Sequence, residues 1–191
     1  MGGQRAWCTP RPNLVTDMSL IHVFAALEAA VTDGIIARYA VGGAVAATFY
    51  IEPAATQDLD VFIVFDGAST SGLYTLDPLY RYFRERGALI EGEHIVIADW
   101  PVQFLPTTSA LVEAALIDAV RMSVDGQAVL VFTEEYLAAI ALETGRLKDK
   151  LRLLQFLESP TLDLSRLHAL IEQYGLMEQW TRFNRLMEEN G

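Results

Sequence analysis

Apolar residues recur at spacings of three and four from Ser19 to about Thr32. Leu20, Val23, Phe24, Leu27 and Val31 fall on one face, which predicts an amphipathic helix. Asp17 or Ser19 is its candidate cap, and Asp33-Gly34 its stop. The pattern then shortens. Ile36 to Val41 reads as a strand running into Gly42-Gly43. Ala44, Ala46 and Ala47 predict a helix seated close to a sheet, and Ile51 to Gln57, with Pro53, a connecting loop. Leu59 to Phe65 is a second strand, and the stretch from Asp66 to Gly72 a flexible loop.

Asp77-Pro78 predicts a helix start, with Asp as N-cap and Pro at the first helical position. That helix runs to about Arg86 and stops at Gly87. Ala88 to Ile90, His94 to Ile97 and Val102 to Leu105 read as strands. Asp99-Trp100-Pro101 reads as a turn, because Pro restricts the residue before it. A helix is expected over Ser109 to Ile117, then a hairpin, Val120 to Val124 and Ala128 to Phe132, around Asp125-Gly126. From Thr133, followed by Glu134 and Glu135, everything is helical, with breaks at Pro160 and Gly175 and a cap at Asp163. Three parts result: a tail over 1–17 without periodicity, an α/β part over 18–132 and a helical part over 133–191. Met18 is a second candidate start beside Met1.

The chemistry concentrates between residues 41 and 60. Side chains alternate along a strand, so Asp58 and Asp60 share a face. Two neighbouring carboxylates repel unless a cation lies between them. Oxygen ligands favour a hard ion such as Mg²⁺, which takes one or two protein carboxylates together with substrate phosphates. Gly42 and Gly43 precede a helix, whose free N–H groups attract phosphate.

The order Val41-Gly42-Gly43, a spacer from Ala44 to Gln57, then Asp58-Leu59-Asp60 resembles the signature of the nucleotidyltransferase superfamily typified by DNA polymerase beta. The spacer is slightly long, and Thr56 matches the small hydroxyl residue common before the first acid. A second stretch, Gly145-Arg146-Leu147-Lys148-Asp149, resembles the Gly-Arg-X-Lys-Asp segment of bacterial proteins related to AbiEii toxins. The resemblance implies an α+β fold: a polymerase-beta-like mixed sheet with flanking helices, followed by a helical C-terminal part. It implies transfer of a nucleoside monophosphate from an NTP to a hydroxyl acceptor of unknown identity. Asp58 and Asp60 would hold Mg²⁺, with room for a two-ion site. Gly42, Gly43, Thr56, Arg146 and Lys148 would bind nucleotide.

The family carries a third acid on a later strand, and the matching position in Val102-Gln103-Phe104 is Gln103. Gln cannot accept a proton as a general base, although its amide oxygen can reach a metal or a hydroxyl. Asp99 and His94 are candidate substitutes. The alternative expectation is a weak or inactive member of the fold that binds a nucleotide or a protein partner, as in a toxin–antitoxin pair.

Composition narrows the partners. The chain has 191 residues, 52% of them hydrophobic, and a formal net charge of −11, which suits a globular protein and argues against extended nucleic acid as partner. Arg81, Arg84 and Arg86 read as a solvated helix face. Cys8 is the single cysteine, so neither an intrachain disulfide nor a cysteine-cluster metal site is available. No apolar run reaches the ~18 residues of a membrane span, and 1–17 lack a signal-peptide core. A cytoplasmic protein is expected.

Overall fold

Among the described residues seven strands form one mixed sheet, and they are laid down in an order that brings the acidic strand to its middle. The structure, a computed structural model, describes residues 18–53, 56, 58–64, 76–107 and 109–190. The N-terminal tail, Cys8, Gln57, Phe65 and the loop from Asp66 to Gly72 lie outside the described residues. Helix α1 (Met18–Thr32) leads to β1 (Arg38–Val41), the short α2 (Gly43–Ala47) and β2 (Leu59–Val64). Next come α3 (Asp77–Glu85), β3 (Leu89–Glu91), β4 (His94–Ile97), β5 (Trp100–Pro106), α4 (Ala110–Ile117) and the hairpin β6 (Val120–Val124) and β7 (Gln127–Val131). Helices α5 (Glu134–Thr144), α6 (Leu147–Leu157), α7 (Leu164–Gln173) and α8 (Met177–Asn190) complete the chain.

The spatial order is β3-β4-β5-β2-β1-β7-β6. β1 runs antiparallel to β2 and parallel to β7, and β2 runs parallel to β5. The remaining pairs are antiparallel. This is the mixed α+β architecture that the sequence resemblance implied.

Strand alternation divides the sheet into two faces. Leu59, Val61 and Ile63 of β2, with Tyr39 and Val41 of β1 and Val102 and Phe104 of β5, are buried on one face. α1 and α3 cover it: the Phe83 ring stacks on Phe104 at 5.4 Å, and the Tyr39 hydroxyl donates to Glu28 Oε1 at 2.7 Å. The opposite face carries Asp60 and Phe62 of β2. Phe62 packs on Phe132, with ring centroids 4.9 Å apart, just before α5. Buried residues of α5, α6, α7 and α8 belong to the same hydrophobic core as the sheet.

Three expectations about local structure need correction. Trp100 and Pro101 belong to β5, and the turn is Ala98-Asp99, both left-handed with φ of 49° and 67°. The β2–β5 ladder begins at Leu59 and Val102, so the missing N–H of Pro101 precedes the ladder. In α3, Leu76 occupies the N-cap and Asp77 the first helical position. The helix after Gly42 has only five residues, so the dipole expected to attract phosphate there is small.

Candidate functional site

The turn from β1 into α2 is shaped by what lies directly beneath it. Gly42 N–H donates to the Asp60 carbonyl at 3.0 Å, extending the β1–β2 ladder by one rung. A Cβ on Gly42 would come within 2.5 Å of the Phe62 ring. Gly43 is left-handed, with φ of 59°, and a Cβ there would overlap the Asp60 carboxylate. Two glycines are therefore required for separate reasons. The first makes room for an aromatic ring, and the second lets backbone close over the carboxylate of Asp60.

Asp58 stands just before β2. Thr56 Oγ1 donates to the Asp58 carbonyl at 3.0 Å and to its Oδ1 at 3.2 Å. Thr56 thus fixes the rotamer of the first acid. His94 Nε2 lies 3.8 Å from the other oxygen, Asp58 Oδ2.

Register places the remaining groups. Asp60 pairs with Gln103 across β2 and β5, and Gln103 pairs with His94 across β5 and β4. Directly paired residues point to the same face. Asp60, Gln103 and His94 therefore form a row across three strands, each partly exposed. Asp99 sits in the exposed β4–β5 turn, outside this row.

The helical part supplies the positive charge. Gly145, left-handed at φ 65°, ends α5 and turns the chain into α6. Arg146 occupies the N-cap of α6 and Lys148 its first turn. Arg146, Lys148 and Arg152 all act electrostatically on Asp60. Its carboxyl is nonetheless held above the usual carboxylate range, first by burial and then by the charge of Asp58; the three cations pull the other way. Asp149, buried on the same helix, is paired with Arg146 Nε at 2.7 Å and Arg152 Nη1 at 3.5 Å.

The sequence reading missed Arg152. The signal was available: Arg152 is three residues after Asp149 and four after Lys148, the spacings that share a helix face. Asp149 lies in the Gly-Arg-X-Lys-Asp stretch, but no local pattern marks it for burial.

No group of three or more His, Cys, Asp or Glu close enough to hold a metal occurs among the described residues. The available donors are instead two carboxylates, which suits a hard divalent ion completed by water and phosphate. The raised carboxyl of Asp60, beside Asp58 and beneath Gly43, fits such an ion.

No protein-family model matches the chain, and no curated protein matches it. Solved structures do. A crystal structure of an antigenic nucleotidyltransferase-like protein from Paracoccidioides brasiliensis superposes with a TM-score of 0.54 at 15% identity, covering 81% of this chain and 86% of that one. ANT(2")-Ia in complex with adenylyl-2"-tobramycin gives 0.52 at 12% identity, over 87% of this chain and 99% of that one. The solution structure of the antibiotic-resistance factor ANT(2'')-Ia gives 0.53 at 13% identity, over 92% and 98%. The chain shares its fold with nucleotidyltransferase-like proteins.

Proposed function

We propose that this protein is a nucleotidyltransferase, moving a nucleoside monophosphate from a Mg²⁺-bound NTP to a hydroxyl acceptor. The observation that carries the reading is the closure of Gly43 over the Asp60 carboxylate, beside Asp58 and facing Arg146, Lys148 and Arg152. Asp58 and Asp60 would hold Mg²⁺. Bound there, the ion would neutralise phosphate oxygens and the charge that develops at the α-phosphorus. In the reaction the acceptor oxygen forms a bond to the α-phosphorus, the bond to the β-phosphate bridging oxygen breaks, and pyrophosphate leaves. The acceptor hydroxyl loses its proton to solvent water or to a base beside the site.

The chain's own residues divide the remaining work. Gly42 and Gly43 admit the phosphates close to backbone. Thr56 holds Asp58, and the α6 cations receive the triphosphate. Gln103 stands beside Asp60, where the family's third acid would take the acceptor proton. It can orient the hydroxyl but cannot deprotonate it. General-base help contributes about 10²–10⁴-fold in rate, so transfer without it is slow. His94, next in the row, is the nearer substitute base; Asp99 is the more remote.

The pairing of Gln103 with Asp60 also favours a second reading, a nucleotide- or protein-binding module that has lost efficient catalysis, for example within a toxin–antitoxin pair. Similarity of Gly145-Arg146-Leu147-Lys148-Asp149 to AbiEii-related proteins supports that setting, and a bacterial cytoplasm would supply NTP and Mg²⁺. The acceptor on the enzymatic reading is a small molecule such as an aminoglycoside, a protein side chain or an RNA end. The adenylyl-2"-tobramycin in complex with one structural neighbour supports the first of these.

Calorimetric titration with Mg²⁺ and each NTP, followed by radiolabelled NTP incorporation, tests the proposal. Wild-type protein should bind Mg²⁺–NTP and transfer slowly. Gln103→Glu should raise transfer, and Asp58→Ala should abolish binding. Rapid wild-type transfer that disappears in Asp99→Asn would move the base to Asp99. Transfer indifferent to Asp58 and Asp60 would end the proposal.

A further inference from the structure

A carboxylate is almost never fully buried unless it is paired. The Asp149 side chain is 4% exposed and has two guanidinium partners, Arg146 Nε at 2.7 Å and Arg152 Nη1 at 3.5 Å. Those partners differ in setting. The Arg146 side chain is 63% exposed and that of Arg152 only 16%. Asp149 therefore ties a solvent-facing cation and a half-buried one to a single fixed point on α6. An acid in a first helical turn is favoured by the helix dipole alone. That effect does not account for a carboxylate shared between two arginines that both also act on Asp60.

We infer that Asp149 is a positioning residue, which holds the guanidiniums of Arg146 and Arg152 in one fixed arrangement so that they receive the triphosphate of the nucleotide. This rests on the nucleotide-binding reading and adds to it the device that orients the cations. Long arginine side chains lose substantial rotamer freedom when they grip a ligand. A pairing already made in the free protein lowers that loss. Arg146 meets Asp149 through Nε, which leaves its two terminal nitrogens available as donors on the outer edge of the fork. Among the described residues Lys148 has no such anchor, and it contributes as a point charge. Charge balance agrees. Arg146, Lys148 and Arg152, with the one carboxylate of Asp149 among them, act on Asp60, which lies beside Asp58. With Asp58 and Asp60 committed to a divalent ion, α6 keeps an excess of positive charge that a polyphosphate satisfies.

The test uses inorganic tripolyphosphate with Mg²⁺, which presents the phosphates without a base or an acceptor, and reads affinity by calorimetry on the full chain. Asp149→Asn and Arg152→Ala should each weaken binding by about 10- to 100-fold, the range for losing a charge-assisted hydrogen bond. The double variant should lose less than the product of the two, because both act through one arrangement. Asp149→Glu should recover part of the affinity. Arg182→Ala, which breaks an exposed pair with Glu178, should bind like wild type. Thermal melting checks folding of each variant. If Asp149→Asn does not fold, Asp149→Glu, which keeps both arginines, decides the matter: weakened binding with an unchanged melting temperature supports the positioning role, and wild-type affinity overturns it. Tight wild-type binding retained within about twofold by Asp149→Asn and Arg152→Ala would overturn the positioning role, leaving Asp149 a purely structural acid and the nucleotide reading intact. Wild-type protein that binds neither tripolyphosphate nor any NTP would overturn both.

Discussion

Adding a methyl group at Gly43 would do two separable things. It would force a side chain into the left-handed region, at a cost of about 1–2 kcal/mol, and it would push against the Asp60 carboxylate. Gly175 is also left-handed, at φ 69°, but has open space around the position of a Cβ. Gly175→Ala therefore isolates the first effect. Urea denaturation should show Gly43→Ala losing more stability than Gly175→Ala, and only Gly43→Ala should lose Mg²⁺–NTP affinity. Equal losses with intact binding would mean that backbone does not close over the acid. Asp60 offers a second test. Its carboxyl is held above the ordinary range, chiefly by burial and next by Asp58. A group whose native pKa is raised stabilises the fold at low pH, and that contribution is lost as pH rises through the raised value. Asp60→Asn removes the loss. In metal-free buffer it should melt above wild type at neutral pH, with the advantage shrinking as pH falls into the carboxylate range. A difference that stays constant with pH would count against burial and like charge as its cause.

At the level of elements, period carried most of the information. The α1 stripe of Leu20, Val23, Phe24 and Leu27 is fully buried, as its spacing requires. The Asp125-Gly126 turn joins β6 to β7 with both residues at positive φ, the geometry that a two-residue hairpin demands. Asp163 caps α7, its carboxylate accepting from the N–H groups of Ser165 and Arg166. Where the reading slipped, a tertiary neighbour decided. Pro101 was read as a turn residue because proline usually punctuates, yet it lies in β5 just before the ladder with β2 begins. The candidate site divides in the same way. Asp58, Asp60, Gly42 and Gly43 were legible because their chemistry is packed into one short stretch. Gln103 was legible through the resemblance, from the apolar-X-apolar pattern of Val102-Gln103-Phe104, and the β2–β5 register sets it directly beside Asp60. Arg152 and the burial of Asp149 depend on how α6 faces a strand almost ninety positions earlier in the chain, and no local period encodes that.

Over the whole molecule, the charge distribution sets two opposing fields. The chain carries 25 acidic against 14 basic residues, so at long range it repels polyanions. At short range Arg146, Lys148 and Arg152 act on Asp60, and on the proposed reading they would attract a compact polyphosphate. A Debye length of about 8 Å at physiological salt confines each field to its own scale. A triphosphate fits within the local field. A duplex does not, because it must run across the acidic surface as well. No helix among the described residues is long and apolar enough to cross a membrane. The expected outcome is that a short DNA or RNA duplex shows no complex at about 150 mM salt, where nucleic-acid binders depend on many phosphate contacts. The same duplex should also fail to displace tripolyphosphate from the site. Displacement at equal phosphate concentration would show that the α6 cations belong to a longer basic track, and the acceptor would then be sought among nucleic acids.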